Sequence, residues 1–210
     1  MKAITFASLI ASAFMGTSAG AQNLILNGGF ESPLIPNNSR QTKTPISWTV
    51  GSSAILINGN GGTAIFPLPQ EGQQYASVAT SPIFTLSQNF SVTLGEEYML
   101  QWFDSTAHGA GATSAPYSVA VLSTTSQILA SANLEAYHPN DWTERSMSMA
   151  LTPGNYTLRF TPAGNGAGGL SPLFDNVSIT IVPEPSTFSL VFVAGLMILG
   201  HRKLRSRNAA

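Results

Sequence analysis

The chain contains no cysteine among its 210 residues, which excludes a disulfide framework, a thiolate metal site and a cysteine nucleophile. Charged side chains are also scarce, at 9% of the chain. Between residues 22 and 182 only four basic side chains, Arg40, Lys43, Arg145 and Arg159, stand against nine acidic ones. Since nucleic-acid binding requires basic groups that neutralise phosphates, this net negative region predicts no nucleic-acid partner.

Catalytic motifs are missing from the same region. Neither the H-E-x-x-H nor the G-x-S-x-G pattern occurs there, and its only histidines are His108 and His138, each in a predicted loop. A polysaccharide hydrolase would need two carboxylates held across a cleft. With nine acids in this region, the fold could bring such a pair together by chance, and a catalytic pair is therefore always possible. The sequence therefore predicts a non-catalytic protein and leaves a hydrolase as an alternative.

The first 21 residues, MKAITFASLIASAFMGTSAGA, have the layout of a secretory signal peptide. A single lysine precedes an apolar stretch, and small residues follow up to Ala19 and Ala21, which form an A-x-A cleavage site. This layout predicts export through the Sec machinery and a mature N-terminus at Gln22. The alternative is an ordinary buried N-terminal helix.

The C-terminal segment contains no apolar run of the usual membrane-spanning length. Residues 187–200 are apolar over 14 positions, and a helix of that length rises roughly 21 Å, less than the roughly 30 Å of bilayer hydrocarbon. Basic residues follow at Arg202, Lys203, Arg205 and Arg207, where the positive-inside rule would hold the end of the chain in the cytoplasm. This pattern predicts a short membrane helix that holds the exported precursor by its C-terminus.

The three parts of this tail resemble a PEP-CTERM sorting signal. VPEPS, the short apolar helix and the basic cluster HRKLRSR occur in that order within residues 182–207. The resemblance implies that an exosortase recognises the tail, removes it near Pro183, Glu184 and Pro185, and delivers the protein to the cell surface or an extracellular polysaccharide matrix. The predicted organisation is a signal peptide at 1–21, one domain at 22–182 and a sorting signal at 183–207.

The domain between these signals consists of short predicted β-strands separated by glycine, proline and asparagine turns. Their spacing of roughly 8 to 12 residues is typical of an all-β sandwich. The last strand, FDNVSITIV, shows the clearest alternation, with Phe174 and Asn176 on one face and Asp175 and Val177 on the other. The turns in TLGEEY and LTPGNY are predicted to close hairpins. The predicted strands cover 23–27, 47–50, 53–57, 73–79, 83–94, 97–104, 117–122, 127–132, 141–151, 155–160 and 174–182.

Several stretches of this domain are similar to the galactose-binding-like jelly-roll superfamily, and in particular to its carbohydrate-binding modules. They are the opening NLILNGGFESP, the central EGQQYASV, FTLSQNFSVTLGEEYMLQWF and the closing LFDNVSI. The resemblance implies a jelly-roll β-sandwich that binds glycans. It also implies a structural Ca²⁺ near the joined first and last strands, with Glu31 and Asp175 among its ligands. The alternative is that these two acids accept hydrogen bonds from turn amides.

Aromatic side chains are candidate sugar platforms, because the C–H face of a pyranose packs on a flat π surface. Trp142 and Tyr137 flank a polar loop, while Tyr117 and Phe66 flank glycine-rich loops. Trp102 and Trp48 are predicted to pack in the core.

The sequence thus predicts an exported, non-catalytic surface or matrix protein that binds exopolysaccharide glycans. The alternative from another class is a structural matrix protein that self-associates and has no specific ligand.

Overall fold

The structure, a computed structural model, describes residues 22–51, 54–63, 66–78, 84–106, 114–137, 142–163 and 171–182. The predicted signal peptide, the sorting signal and its Pro183–Pro185 motif, His108 and His138 lie outside these residues. No helix in the described ranges is long and apolar enough to cross a membrane.

The described residues form eleven β-strands in two antiparallel sheets, which confirms the predicted all-β sandwich. The six-stranded sheet has the order β1-β3-β4-β11-β6-β9, and the five-stranded sheet has the order β2-β5-β10-β7-β8. The strands are β1 (Arg40–Thr42), β2 (Thr49–Val50), β3 (Ala54–Asn58), β4 (Gln74–Val78), β5 (Leu86–Val92), β6 (Glu96–Thr106), β7 (Ser114–Ser123), β8 (Ile128–Tyr137), β9 (Thr143–Leu151), β10 (Gly154–Pro162) and β11 (Pro172–Ile181).

The main core lies between the two sheets and follows from the alternation of apolar residues along their strands. In β6, for example, Leu100 and Trp102 point inward, and in β10 Phe160 does so. The rings of Phe160 and Phe174 meet across the core with centroids 4.5 Å apart. Trp102 and Trp48 are both buried here, as predicted.

The predicted first strand at residues 23–27 is wrong. This segment lies along β11, where Leu24 N donates to Ile179 O (2.9 Å) and Val177 N donates to Gly28 O (3.0 Å). It does not continue as a ladder, because the side chain of Gln88 on the opposite sheet satisfies both backbone groups of Leu26. A Cβ on Gly28 would come within 1.9 Å of Val177 O, so only glycine allows this close approach.

The alternation predicted for the last strand is also wrong in part. The pairing of β11 with β6 shifts between Asp175 and Ser178, where one extra residue forms a β-bulge and Asn176 takes a φ of +47°. The bulge changes the phase of the strand, so that Phe174 and Val177 both face the main core. Asp175 therefore lies on the outer face, beside the loop that precedes β4.

The two turns predicted to close hairpins connect the sheets instead. Gly95 lies between β5 and β6, and Pro153 lies between β9 and β10, and in both cases the two strands belong to different sheets. The sequence prediction missed β1, a three-residue edge strand whose short polar sequence carries no alternation.

Candidate functional site

A groove on the outer face of the six-stranded sheet has a volume of about 500 Å³. We call it the Trp142 groove. Beneath it Ile57, Tyr75 and Leu173 form a small buried cluster, separate from the main core, against which Phe66 and Trp142 pack. The groove is lined by Asn60, Phe66, Pro67, Leu68, Pro69, Gln70 and Trp142.

The position of Trp142 is fixed by two contacts. Its Nε1 donates to Leu68 O at 2.8 Å, and its ring meets that of Tyr75 in a T-shaped arrangement with centroids 5.2 Å apart. The second predicted aromatic of this groove, Phe66, has the Arg40 guanidinium 5.8 Å from its ring centroid. The structure thus brings two of the four predicted platform residues together, and it holds the tryptophan in a defined orientation.

The wall of the Trp142 groove is an irregular loop that precedes β4. Side chains hold the backbone of this loop by hydrogen bonds at several positions. Tyr75 donates its hydroxyl to Pro67 O (2.9 Å), and Asp175 Oδ2 accepts from Gln70 N (2.9 Å) and Glu71 N (3.2 Å). Such contacts replace the sheet ladder that this loop lacks, because buried backbone groups need partners. The groove is therefore a preformed feature of the described fold.

The two predicted calcium ligands, Glu31 and Asp175, both hold the turn that follows this loop. Glu31 Oε1 accepts from Gln73 N (2.8 Å) and Gln74 N (3.1 Å), directly after the pair of amides bound by Asp175. Between them Gly72 has a φ of +66°, and a Cβ there would lie 2.2 Å from Glu31 Oε1. The alternative weighed for these acids, that they accept hydrogen bonds from turn amides, matches these contacts.

The electrostatics of Asp175 differ from those of a surface carboxylate. Its side chain is fully buried, and burial raises its pKa to about 7 although three backbone amides donate to it; the nearby Glu31 adds to the rise. A Cβ built on Gly29 would lie 3.9 Å from both Asp175 Oδ1 and Glu31 Cγ, so the two acids border the same small space. Among the described residues, no group of three or more His, Cys, Asp or Glu side chains could hold a metal ion.

A second groove, of about 390 Å³, lies where the edge strands β8 and β9 of the two sheets approach each other. We call it the Tyr137 groove. Tyr137 is 53% exposed, and Tyr117, another predicted platform, borders the groove from β7. The groove is lined by Pro116, Tyr117, Asn133, Leu134, Glu135, Tyr137, Arg145 and Ala163.

The prediction that Tyr117 offers an exposed platform is wrong, because the residue is only 1% exposed. Its ring packs against Phe174 with centroids 5.0 Å apart, and its hydroxyl accepts from Trp102 Nε1 (2.8 Å) and donates to Asp104 Oδ2. Burial raises the pKa of Tyr117, and the adjacent Asp104 carboxyl raises it further. Tyr117 is thus a core residue that positions a buried acid.

The buried acid, Asp104, also accepts from Arg145 Nε at 2.9 Å. Burial raises the pKa of Asp104, and the hydrogen bonds from Tyr117 and Arg145 oppose the rise. Arg145 Nη2 in turn donates to Glu135 O on β8 (2.9 Å), so the guanidinium connects the edges of the two sheets. Neither Asp104 nor Arg145 is among the site residues predicted from the sequence.

No family model matches the chain, and a comparison with curated proteins finds no match. Solved structures resemble it in fold. TmCBM61, a carbohydrate-binding module solved in complex with β-1,4-galactotriose, is 12% identical with a TM-score of 0.56, and the match covers 77% of this chain and 99% of that one. The arabinose-bound α-L-arabinofuranosidase MgGH51 is 16% identical with a TM-score of 0.51, over 75% of this chain and 26% of that one. The fold is therefore the jelly-roll β-sandwich seen in carbohydrate-binding modules.

Proposed function

We propose that the protein binds glycans through the Trp142 groove. The observation that supports this function best is the fixed position of Trp142 against an apolar cluster, in a groove that the amide-bearing residues Asn60 and Gln70 also line. An aromatic ring supplies the stacking surface for a sugar, and amide groups supply donors and acceptors for its hydroxyls. Since Trp142 is already held by Leu68 O, little conformational entropy is lost when a ligand binds.

The fold supports the same function by analogy only, because carbohydrate-binding modules and other proteins share it. We propose that the protein is non-catalytic and acts by binding. It would work after export, at the cell surface or in the exopolysaccharide matrix. The Sec machinery and an exosortase would be its processing partners, as its two terminal signals indicate.

A test of glycan binding uses the full chain on a glycan array that includes β-1,4-galactotriose, followed by titration of each sugar that binds. Trp142→Ala is expected to lower the affinity by tenfold or more, because it removes the stacking surface. Leu94→Ala is the matched control, since Leu94 is an exposed apolar residue between β5 and β6. Absence of saturable binding to any sugar would refute the proposal.

We also propose that Glu31 and Asp175 contribute to a structural Ca²⁺ site. The fit is partial: Asp175 Oδ1 and the Cγ of Glu31 border the same small space beside Gly29, while Glu31 Oε1 already accepts from Gln73 N and Gln74 N. The remaining oxygens would have to come from carbonyls or water. A bound cation would offset the cost of burying Asp175 and would stabilise the turn that both acids hold.

Thermal melting with added Ca²⁺ or with a chelator tests the site. A rise of the midpoint with Ca²⁺ is expected for the wild type and not for a Glu31→Gln variant, which keeps the hydrogen-bond acceptor and removes the charge. Equal midpoints in both conditions would remove calcium from the proposal and leave the glycan function standing.

A second function, self-association as a structural matrix protein, is favoured by one observation. Strand β8 forms an edge of the five-stranded sheet and exposes Ile128, Leu129 and Tyr137 along ten residues with a single charge, that of Glu135. Exposed edge strands pair readily with other chains. Sedimentation of the wild type and of Leu129→Lys tests it: a concentration-dependent oligomer that the lysine abolishes would support self-association, and a monomer at all concentrations would contradict it.

A further inference from the structure

The Tyr137 groove contains an arginine whose side chain is held from two sides. Arg145 donates from Nε to the Asp104 carboxylate and from Nη2 to the Glu135 carbonyl, both at 2.9 Å. A guanidinium has five N–H donors, so three remain beyond these two bonds. The side chain is 23% exposed and lines the groove, which leaves those donors within reach of a ligand.

The support behind Arg145 is part of the protein core. Asp104 is fully buried on β6, and Tyr117 on β7 donates to the same oxygen that Arg145 contacts. Trp102 Nε1 donates to the Tyr117 hydroxyl at 2.8 Å, so the network reaches the interior of the sandwich. An arginine fixed in this way loses little side-chain entropy when it binds a ligand.

Complementary polar groups line the same groove as these donors. Glu135 supplies carboxylate oxygens, Asn133 supplies an amide, and the half-exposed ring of Tyr137 supplies an apolar face. A donor next to an acceptor, both beside an aromatic ring, fits adjacent hydroxyl groups on a sugar. One hydroxyl would accept from Arg145 and its neighbour would donate to Glu135.

The charges in the groove favour an uncharged ligand. The positive charge of Arg145 is already paired with Asp104, whereas Glu135 has no cationic partner among the described residues. A sugar carboxylate or sulfate would therefore meet the Glu135 charge with no free cation to offset it.

We propose that the Tyr137 groove is a second saccharide site, separate from the Trp142 groove, that binds an uncharged sugar with adjacent free hydroxyls and excludes uronates. It extends the proposed glycan-binding function and does not depend on Trp142. Arg145 and Glu135 would contact the sugar hydroxyls, and Asp104 would act as a positioning residue for Arg145.

The experiment starts from the full chain with Trp142→Ala, so that binding at the first groove is reduced. Neutral hexose oligosaccharides and oligouronates of equal length are titrated against this variant by calorimetry. Saturable binding of a neutral oligosaccharide is expected to persist, and adding Tyr137→Ala is expected to weaken it at least tenfold. Ile128→Ala, an exposed apolar residue at the other end of β8, is the matched control.

A variant that gains oligouronate binding tests the charge argument directly, because misfolding could abolish binding but could not create it. In the Trp142→Ala background, Glu135→Gln is expected to bring oligouronate affinity to within about threefold of the affinity for the neutral oligosaccharide, because the repelling charge is gone and an acceptor remains. Equal binding of both classes by the Trp142→Ala protein with Glu135 intact would overturn the selectivity. Binding that is lost entirely in Trp142→Ala would overturn the second site and leave the first one standing, whereas binding lost only in Tyr137→Ala would do the opposite.

Discussion

The two grooves hold their aromatic residues by different means. In the Trp142 groove a loop forms the wall, and its backbone is held by sheet side chains at Pro67 and Gln70 and by Trp142, just before β9, at Leu68. In the Tyr137 groove the strands themselves form the walls, and an ion pair rooted in the core holds Arg145. A loop-built site depends on many backbone hydrogen bonds, while a strand-built site depends on a few buried side chains.

The difference predicts that damage to one groove leaves the other intact, although only the connection 138–141 separates Tyr137 from Trp142 in the chain. Mutations more than roughly 7–10 Å apart without shared partners are usually additive. A substitution at one groove is therefore expected to leave binding at the other groove unchanged.

The largest effect is expected for Arg145→Ala. The substitution leaves the buried Asp104 without its cation, which should cost about 3 kcal/mol of unfolding free energy. Denaturant unfolding measures the loss, and sugar titrations should show weakened binding at the Tyr137 groove alone. Lys43→Ala removes an exposed cation and serves as the control; a loss as large in that variant would contradict the specific role of the pair.

A smaller effect is expected for Asp175→Ala. Gln70 N and Glu71 N lose their acceptor, which should cost about 2 kcal/mol and loosen the wall of the Trp142 groove. Affinity at that groove should fall while affinity at the Tyr137 groove is retained. The exposed acid Glu97, on β6, gives the control variant Glu97→Ala, and equal effects of the two substitutions would disprove the anchoring role.

The smallest effect is a pH dependence of stability that arises from Asp104. Burial raises its pKa in the folded state, so its contribution to stability is complete below the ordinary carboxyl range and is lost as the pH rises through the folded-state pKa. The groups facing it are Tyr117 on β7, Arg145 on β9 and, beyond the arginine, Glu135 on β8.

Wild-type protein should therefore lose stability between acidic and neutral pH relative to Asp104→Asn, because the variant has no charge to bury. Thermal melts of both proteins across this range measure the difference, and the contribution of Asp175 cancels between them. Parallel curves for the two proteins would contradict the raised pKa.

The fold class was predictable from the sequence because apolar alternation and turn spacing are local signals. The β-bulge at Asp175 was not, since a strict period of two assigns each residue to a face and an extra residue breaks the assignment. The backbone role of Leu26 was equally hidden, because its partner Gln88 lies on the other sheet.

The site was predictable only in part. The sequence selected Trp142, Tyr137 and Phe66, which line the grooves, and placed Tyr117 wrongly. The sequence did contain a signal for the ion pair that was missed. Asp104 lies on the same face of β6 as Trp102, and Arg145 lies on the same face of β9 as Met149. A charged residue on the apolar face of a strand needs a partner, so two such strands predict a pair.

The course of β11 has a consequence for how the protein meets its surroundings. Phe174, near the start of the strand, pairs with Asp104 beside the grooves, while Ile181, near its end, pairs with Tyr98. These positions are roughly 23 Å apart at 3.3 Å per residue. Leu24 N donates to Ile179 O, so Gln22 and Val182, the first and last described residues, lie at the same end of the sandwich, away from the grooves. An attachment made at this end of the sandwich would leave both grooves at the opposite end, open to a ligand from solution.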